Sequence, residues 1–248
     1  GSNAVVFGGS GSHSAEFCYT SAIMNAAMKR GDLPVPDKEN VRIPENIWYL
    51  LYGKTKEDVI RDVRVSFSSD FFEIFKEGVK FKDFMSDYYA SSFAGIWEDE
   101  EEGELSEQGE EEASGTMEII RATRDFLDEK GKNSLIILES LDDLIRGLPE
   151  GEENNLVAAL RTLQNRNKKE WNSLILSRLT KGVFPGEVEE SILSLVDGVF
   201  EFKESGGGQR TLNCRKFTGI TSGDLLDSQF EYKITPSGFE ARKVKMLE

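Results

Sequence analysis

Apolar runs of strand length recur along the first three quarters of this chain, and a helical pattern fills each interval between them. The runs are Val5-Val6-Phe7, Ile47-Trp48-Tyr49-Leu50-Leu51-Tyr52, Ser134-Leu135-Ile136-Ile137-Leu138-Glu139-Ser140 and Asn172-Ser173-Leu174-Ile175-Leu176-Ser177-Arg178. Continuous runs of this kind mark strands buried on both faces. Strands separated by helices run parallel, because a parallel pair needs a long crossover connection. From Gly198 the period changes to two, in Val199-Phe200-Glu201-Phe202-Lys203, Arg210 to Phe217, Phe230 to Ile234 and Phe239 to Val244. Gly206-Gly207-Gly208 and Pro236-Ser237-Gly238 supply turns between them. The pattern predicts an α/β fold with a mainly parallel central sheet flanked by helices, extended by a C-terminal antiparallel β-meander. The 248 residues are read as one domain.

Local chemistry places the helices. Phe17, Cys18, Ile23 and Ala27 lie on one side of the first, which ends where Gly31-Asp32-Leu33-Pro34-Val35-Pro36 breaks the pattern. Thr55 caps the second, with Asp58 at its third position. A third starts at Ser69 or Asp70 and ends at Gly78, after which Val79 to Phe84 alternates like a strand. Thr116 to Lys130 is amphipathic and stops at Gly131. Asn154 to Lys169 and Glu187 to Leu195 complete the set.

The chain carries a net charge of −15, and much of it is local. Glu98 to Glu112 holds ten acidic residues and no basic one; without them the remainder carries −5. A broad nucleic-acid surface needs clustered Lys and Arg to replace counterions, so this balance argues against one. Residues 98–115 read as a solvated, flexible insertion, with a decoy for a basic partner as the functional alternative. No apolar run has the length of a membrane span, and no secretory signal is visible. Gly1-Ser2-Asn3-Ala4 reads as an expression scar. Cys18 and Cys214 are far apart and are expected as reduced thiols in the cytoplasm. His13 is the only histidine, which leaves no His-based triad and little zinc chemistry.

The start of the chain resembles a phosphate-binding loop stripped of its catalytic residues. Val5-Val6-Phe7 runs into Gly8-Gly9-Ser10-Gly11-Ser12-His13-Ser14-Ala15 and then a helix. In G-x-x-x-x-G-K-[ST] the backbone N–H groups cradle phosphates, the Lys reaches the β/γ-phosphates and the hydroxyl holds Mg²⁺. Aligned on Gly8, those last three positions fall on His13, Ser14 and Ala15. The plainer alternative is a tight turn into a helix capped by Ser12 or Ser14.

Several segments together resemble the RecA superfamily, and within it the KaiC-like proteins. They are the loop and its helix, the strand ending at Tyr52, the strand ending at Glu139, and three C-terminal stretches. Those stretches are Val196-Asp197-Gly198-Val199-Phe200-Glu201-Phe202, Arg210 to Gly219, and Tyr232-Lys233-Ile234-Thr235-Pro236-Ser237-Gly238-Phe239. The resemblance spans nearly all of the chain except Glu98 to Gly115, and it implies a RecA-like fold and an ATPase ancestry. Its catalytic positions depart from the pattern. Ser14 replaces the loop Lys and Ala15 the Ser/Thr. Gly53 and Lys54 stand where two glutamates belong. Glu139 replaces the Walker B Asp, unless it merely caps the following turn. Lys216-Phe217-Thr218 lacks the arginine that reaches a neighbour's nucleotide, although Arg215 is adjacent.

Phosphoryl transfer depends on positioned charge, and one lost electrostatic contact of this class costs roughly 3–4 kcal/mol of transition-state stabilisation. The sequence therefore predicts a catalytically inactive RecA/KaiC-like module that acts as a regulatory or signalling protein on an unidentified protein partner. Without nucleotide between subunits, it is expected as a monomer or weak dimer and not an ATP-dependent hexamer. Two alternatives stand beside this. In one, Gly8, Gly9, Ser10, Gly11, Ser12, His13, Ser14 and Glu139 still hold ATP, ADP or a phosphate-like anion without hydrolysis. In the other, an active ATPase has relocated its residues, with Lys54 standing in for the loop Lys.

Overall fold

The structure is a computed structural model that describes residues 1–84, 108–146, 153–204, 208–218 and 228–244. In chain order the elements are β1 (Ser2–Gly8), α1 (Ser14–Arg30), β2 (Asn46–Leu51), α2 (Lys56–Ser66), α3 (Ser69–Gly78) and β3 (Lys80–Asp83). Then follow α4 (Gln108–Lys130), β4 (Ser134–Leu138), α5 (Leu141–Arg146), α6 (Glu153–Arg166), a π-helical turn (Asn167–Trp171) and β5 (Leu174–Thr180). The chain continues through α7 (Gly186–Leu195), β6 (Gly198–Glu204), β7 (Arg210–Phe217), β8 (Gln229–Thr235) and β9 (Gly238–Lys243).

The strands form one sheet in the order β3-β2-β4-β5-β1-β6-β7-β8-β9. All pairings from β3 to β6 are parallel, and those from β6 to β9 are antiparallel. The expected class is therefore correct, with one shift of boundary. β6 belongs to the parallel part, because α7 carries the chain across from β5 to the far side of β1, and only β7 to β9 form the meander.

Side chains alternate along β1 and divide the core in two. Ala4 and Val6 face a cluster with α1, α2 and α3, while Val5 and Phe7 face one with α4 to α7. Val6, Tyr49, Leu50, Ile136 and Ile137 have no exposed surface. Fully burying each of the aliphatic ones contributes about 1.5–3 kcal/mol. Both cysteines are free and buried. Asn3 and Ala4 are buried within β1, so the stretch that reads as a scar is part of the sheet.

One helix start matches the sequence reading and one differs from it. The expected box at α2 forms: the Thr55 hydroxyl accepts the Asp58 N–H, and Asp58 answers on the Thr55 N–H. α4 starts at Gln108, within the acidic stretch, so residues 108–115 are helical and not a disordered loop. Residues 98–107 of the predicted insertion lie outside the described residues. Among the described residues no helix is long and apolar enough to cross a membrane.

Candidate functional site at the carboxyl end of the sheet

The glycine-rich segment leaves the end of β1 as a tight turn. The Ser12 N–H donates to the Gly9 carbonyl at 3.1 Å. Gly11 has φ +81°, a left-handed conformation that costs glycine little. His13, also left-handed at φ 57°, takes the cap position of α1. It makes no side-chain cap bond; its Nδ1 lies 3.0 Å from Oε1 of Glu16. The sequence expectation of a Ser12 or Ser14 cap is therefore incorrect. Ser14 is already the first helical residue, and the buried Ser12 hydroxyl is packed towards Gly8, where an added Cβ would stand 2.6 Å from its Oγ. The same Cβ would stand 2.8 Å from Phe202, which fixes glycine at the strand end. Gly9 and Gly11 face open space.

The meander holds the turn from behind. The Tyr232 hydroxyl donates to the Ser12 carbonyl at 2.6 Å, and the Phe239 N–H donates to the Thr20 hydroxyl on α1 at 2.9 Å. Burial pushes the Tyr232 phenol up to about 12, so it remains a donor across the physiological range. Ser10 completes the turn between Gly9 and Gly11. The first N–H groups of the 17-residue α1 point out of the helix start, which favours a negative group there. Glu16 in the first turn opposes it.

Glu139 directly follows β4, which β5 separates from β1. Its carboxylate is 3% exposed and holds two N–H donors. Arg178 Nη1 donates to Oε1 at 3.3 Å and to the Glu139 carbonyl at 3.1 Å, and the Gly53 N–H donates to Oε2 at 3.2 Å. The turn-capping role open to Glu139 goes to Ser140 instead, whose hydroxyl accepts the Asp143 N–H. Burial raises the Glu139 carboxyl above the ordinary range, and the Arg178 charge pulls it back. Burial also opposes the charge on Arg178, but the neighbouring Tyr49, Cys18, Glu139 and Tyr19 outweigh that and raise it above its ordinary value.

Sequence reading misses Arg178. It stands on β5 in register with Val6 and faces the α1 side of the sheet, beneath Cys18, Tyr19 and Tyr49. Its Nε and the hydroxyls of Tyr19 and Tyr49 are buried without a protein hydrogen-bond partner, as is the Ser12 hydroxyl. Burial pushes the Cys18 thiol up to about 12, with Arg178 drawing it down, so this is an inert thiol and not a nucleophile. An arginine in a largely apolar strand is the signal that could find the pair, since arginine is rarely buried without a partner.

The other substituted positions are engaged elsewhere. Lys54 Nζ pairs with Asp62 of α2 at 2.7 Å. A Cβ on Gly53 would stand 2.1 Å from Oδ2 of Asp143, so a glutamate there needs Asp143 to move. Lys216 Nζ donates to the Ser194 carbonyl, and Arg215 pairs with Glu190. The divalent metal implied by the RecA-like resemblance does not fit these residues: Ala15 offers no oxygen, and both Glu139 oxygens already accept N–H bonds. Among the described residues no group of three His, Cys, Asp or Glu side chains could hold a metal ion.

No protein family and no curated protein is matched by this sequence. Among solved structures, the chain is similar to a KaiC-like protein from the hyperthermophilic archaeon Pyrococcus horikoshii, with a TM-score of 0.56 at 16% identity. The similarity covers 97% of this chain and 89% of the other. The fold is RecA-like.

Proposed function

We propose that this chain is a RecA-like module without ATP hydrolysis that works by binding a protein partner in a regulatory or signalling role. The observation that carries the reading is the state of Glu139. The acid that would serve a metal and water is bound by Arg178 and the Gly53 N–H, while Ser14, Ala15, Gly53 and Lys54 replace the charged parts that phosphoryl transfer needs. Relocation of the loop lysine to Lys54 finds no support, because Lys54 is paired with Asp62. On the same reading the protein is cytoplasmic, is a monomer or weak dimer, and does not bind nucleic acid.

A second reading, retained binding of a nucleotide or phosphate-like anion, is favoured by the open Gly9 and Gly11, the start of α1 and the nearby Arg178. A steady-state assay with pure protein, ATP and Mg²⁺ tests the main reading. The expected outcome is no turnover above background. Turnover near about 10 s⁻¹, an ordinary enzyme rate, that disappears in Glu139→Gln overturns it.

A further inference from the structure

The misfit between the implied metal and these residues has a specific cause. Arg178 enters from β5, between the strand that carries the loop and the strand that carries Glu139. Its side chain is 19% exposed, Nη1 is fixed by the Glu139 carbonyl and carboxylate, and Nε has no protein partner. A guanidinium is charged at every working pH, cannot be chelated away, and presents planar donors matched to carboxylate and phosphate oxygens. A hydrated divalent ion needs oxygen donors, and here the carboxylate is held by nitrogen donors on both oxygens.

We infer that Arg178 is a resident counter-cation that has taken the place of the divalent metal at Glu139, so that this end of the sheet receives anions without a metal. Glu139 neutralises Arg178 in the absence of ligand, and a phosphate group arriving at the start of α1 shares the guanidinium. The anion part rests on the nucleotide-binding reading above; the metal part does not.

Titration with Mn²⁺, followed by electron paramagnetic resonance, tests the metal part on the wild type, Arg178→Lys, Arg178→Gln and Glu139→Gln. Wild type and Arg178→Lys are expected to show no stoichiometric Mn²⁺ site. Arg178→Gln releases the carboxylate beside Asp143 and is expected to bind Mn²⁺ at least about tenfold more tightly than the wild type. A wild-type Mn²⁺ site that is lost in Glu139→Gln overturns the inference, as does a folded Arg178→Gln protein that gains none. Should Arg178→Gln fail to fold, the wild-type, Arg178→Lys and Glu139→Gln arms still decide it. Calorimetry with ATP, in EDTA and in Mg²⁺, tests the anion part. Equal affinity in both supports it. An approximately tenfold gain with Mg²⁺ overturns the inference and leaves nucleotide binding intact. No ATP binding in either buffer removes the nucleotide-binding reading and the anion part with it, and the Mn²⁺ titration then decides the role of Arg178 by itself.

Discussion

At the carboxyl end of the sheet Glu139 meets Arg178 at 3.3 Å, and at the amino end Asp197 meets Lys168 at 2.6 Å. The second pair is complete. The other Asp197 oxygen accepts the Asn3 N–H at 3.0 Å, its own N–H donates to the Asn3 carbonyl, and its carbonyl accepts the Thr218 N–H. Beside it the fully buried Asn167 side chain bonds Ser2, Asn3 and Ser173. Asp197 thus ties together β1, β6 and the end of β7 through backbone groups, so any residue except proline at position 3 would serve its bond. The first pair is incomplete, with Arg178 Nε and the hydroxyls of Tyr19 and Tyr49 beside it unpartnered. Each buried polar group left unsatisfied costs about 1–3 kcal/mol. Such groups persist where water or a ligand completes them, or where function requires them. The amino end reads as a clasp and the carboxyl end as a site.

The largest expected difference is in stability. Arg178→Met leaves the buried Glu139 without its ion partner, and breaking a buried pair costs about 3–5 kcal/mol. Lys168 is 45% exposed, and its partner keeps the Asn3 N–H, so Lys168→Met is expected to cost about 1 kcal/mol or less. Urea denaturation of both variants checks this. Equal losses would break the distinction between clasp and site.

The same contrast shows what a sequence can and cannot display. Strand and helix positions are legible because burial on both faces leaves continuous apolar runs, as in Ser134–Leu138. The cap at Thr55 is legible because it needs only residues three apart. The Asp197-Gly198 pair carries part of the family resemblance, yet its structural role is hidden. Its partners lie 29 and 194 residues away, and no local pattern links them. By pattern alone Arg178 is merely the end of a strand, since its meeting with Glu139 depends on β5 lying beside β4, which the order of strands decides. The parallel setting of β6 is hidden likewise: alternation reports that one face differs from the other, not which neighbour the strand pairs with. His13 at the cap escapes detection because only a few per cent of residues other than glycine adopt left-handed backbone, and Ser12 and Ser14 beside it are the stronger cap signals.

A glycine at each end sharpens the comparison at intermediate cost. A Cβ on Gly198 would meet the Phe217 ring at 2.9 Å and the Ala4 Cβ at 3.2 Å, both fixed in the sheet. Gly198→Ala is expected to cost about 1–3 kcal/mol by overpacking. The nearest atoms to a Cβ on Gly53 would be those of the Asp143 carboxylate, the end of a side chain and not backbone. Gly53→Ala is therefore expected to cost under about 1 kcal/mol, within the range of surface substitutions plus a small adjustment. Thermal melts of the two variants check the order. Greater damage from Gly53→Ala would mean that the carboxyl end is packed as firmly as the clasp.

The smallest effect is in the pH dependence, where the two acids should act with opposite signs. Burial raises the Glu139 carboxyl above its ordinary value of 4.5, only partly offset by Arg178. On raising the pH through 4.5 the unfolded chain therefore loses this proton before the folded one does, and stability falls until the folded carboxyl has also ionised. Burial acts in the same direction on Asp197, but the bonds from Lys168, the Asn3 N–H and Gln164 outweigh it and hold the carboxyl below 3.8. On lowering the pH through 3.8 the unfolded chain takes up this proton first, so the stability that Asp197 supplies is lost towards acid. Denaturation midpoints of the wild type, Glu139→Gln and Asp197→Asn, measured from roughly pH 3 to 7, separate the two contributions. The wild type minus Glu139→Gln difference should decline with rising pH, and the wild type minus Asp197→Asn difference should grow and then level off. Two differences of the same sign would mean that Arg178 satisfies Glu139 as fully as the clasp satisfies Asp197, and the carboxyl end would then be structural as well.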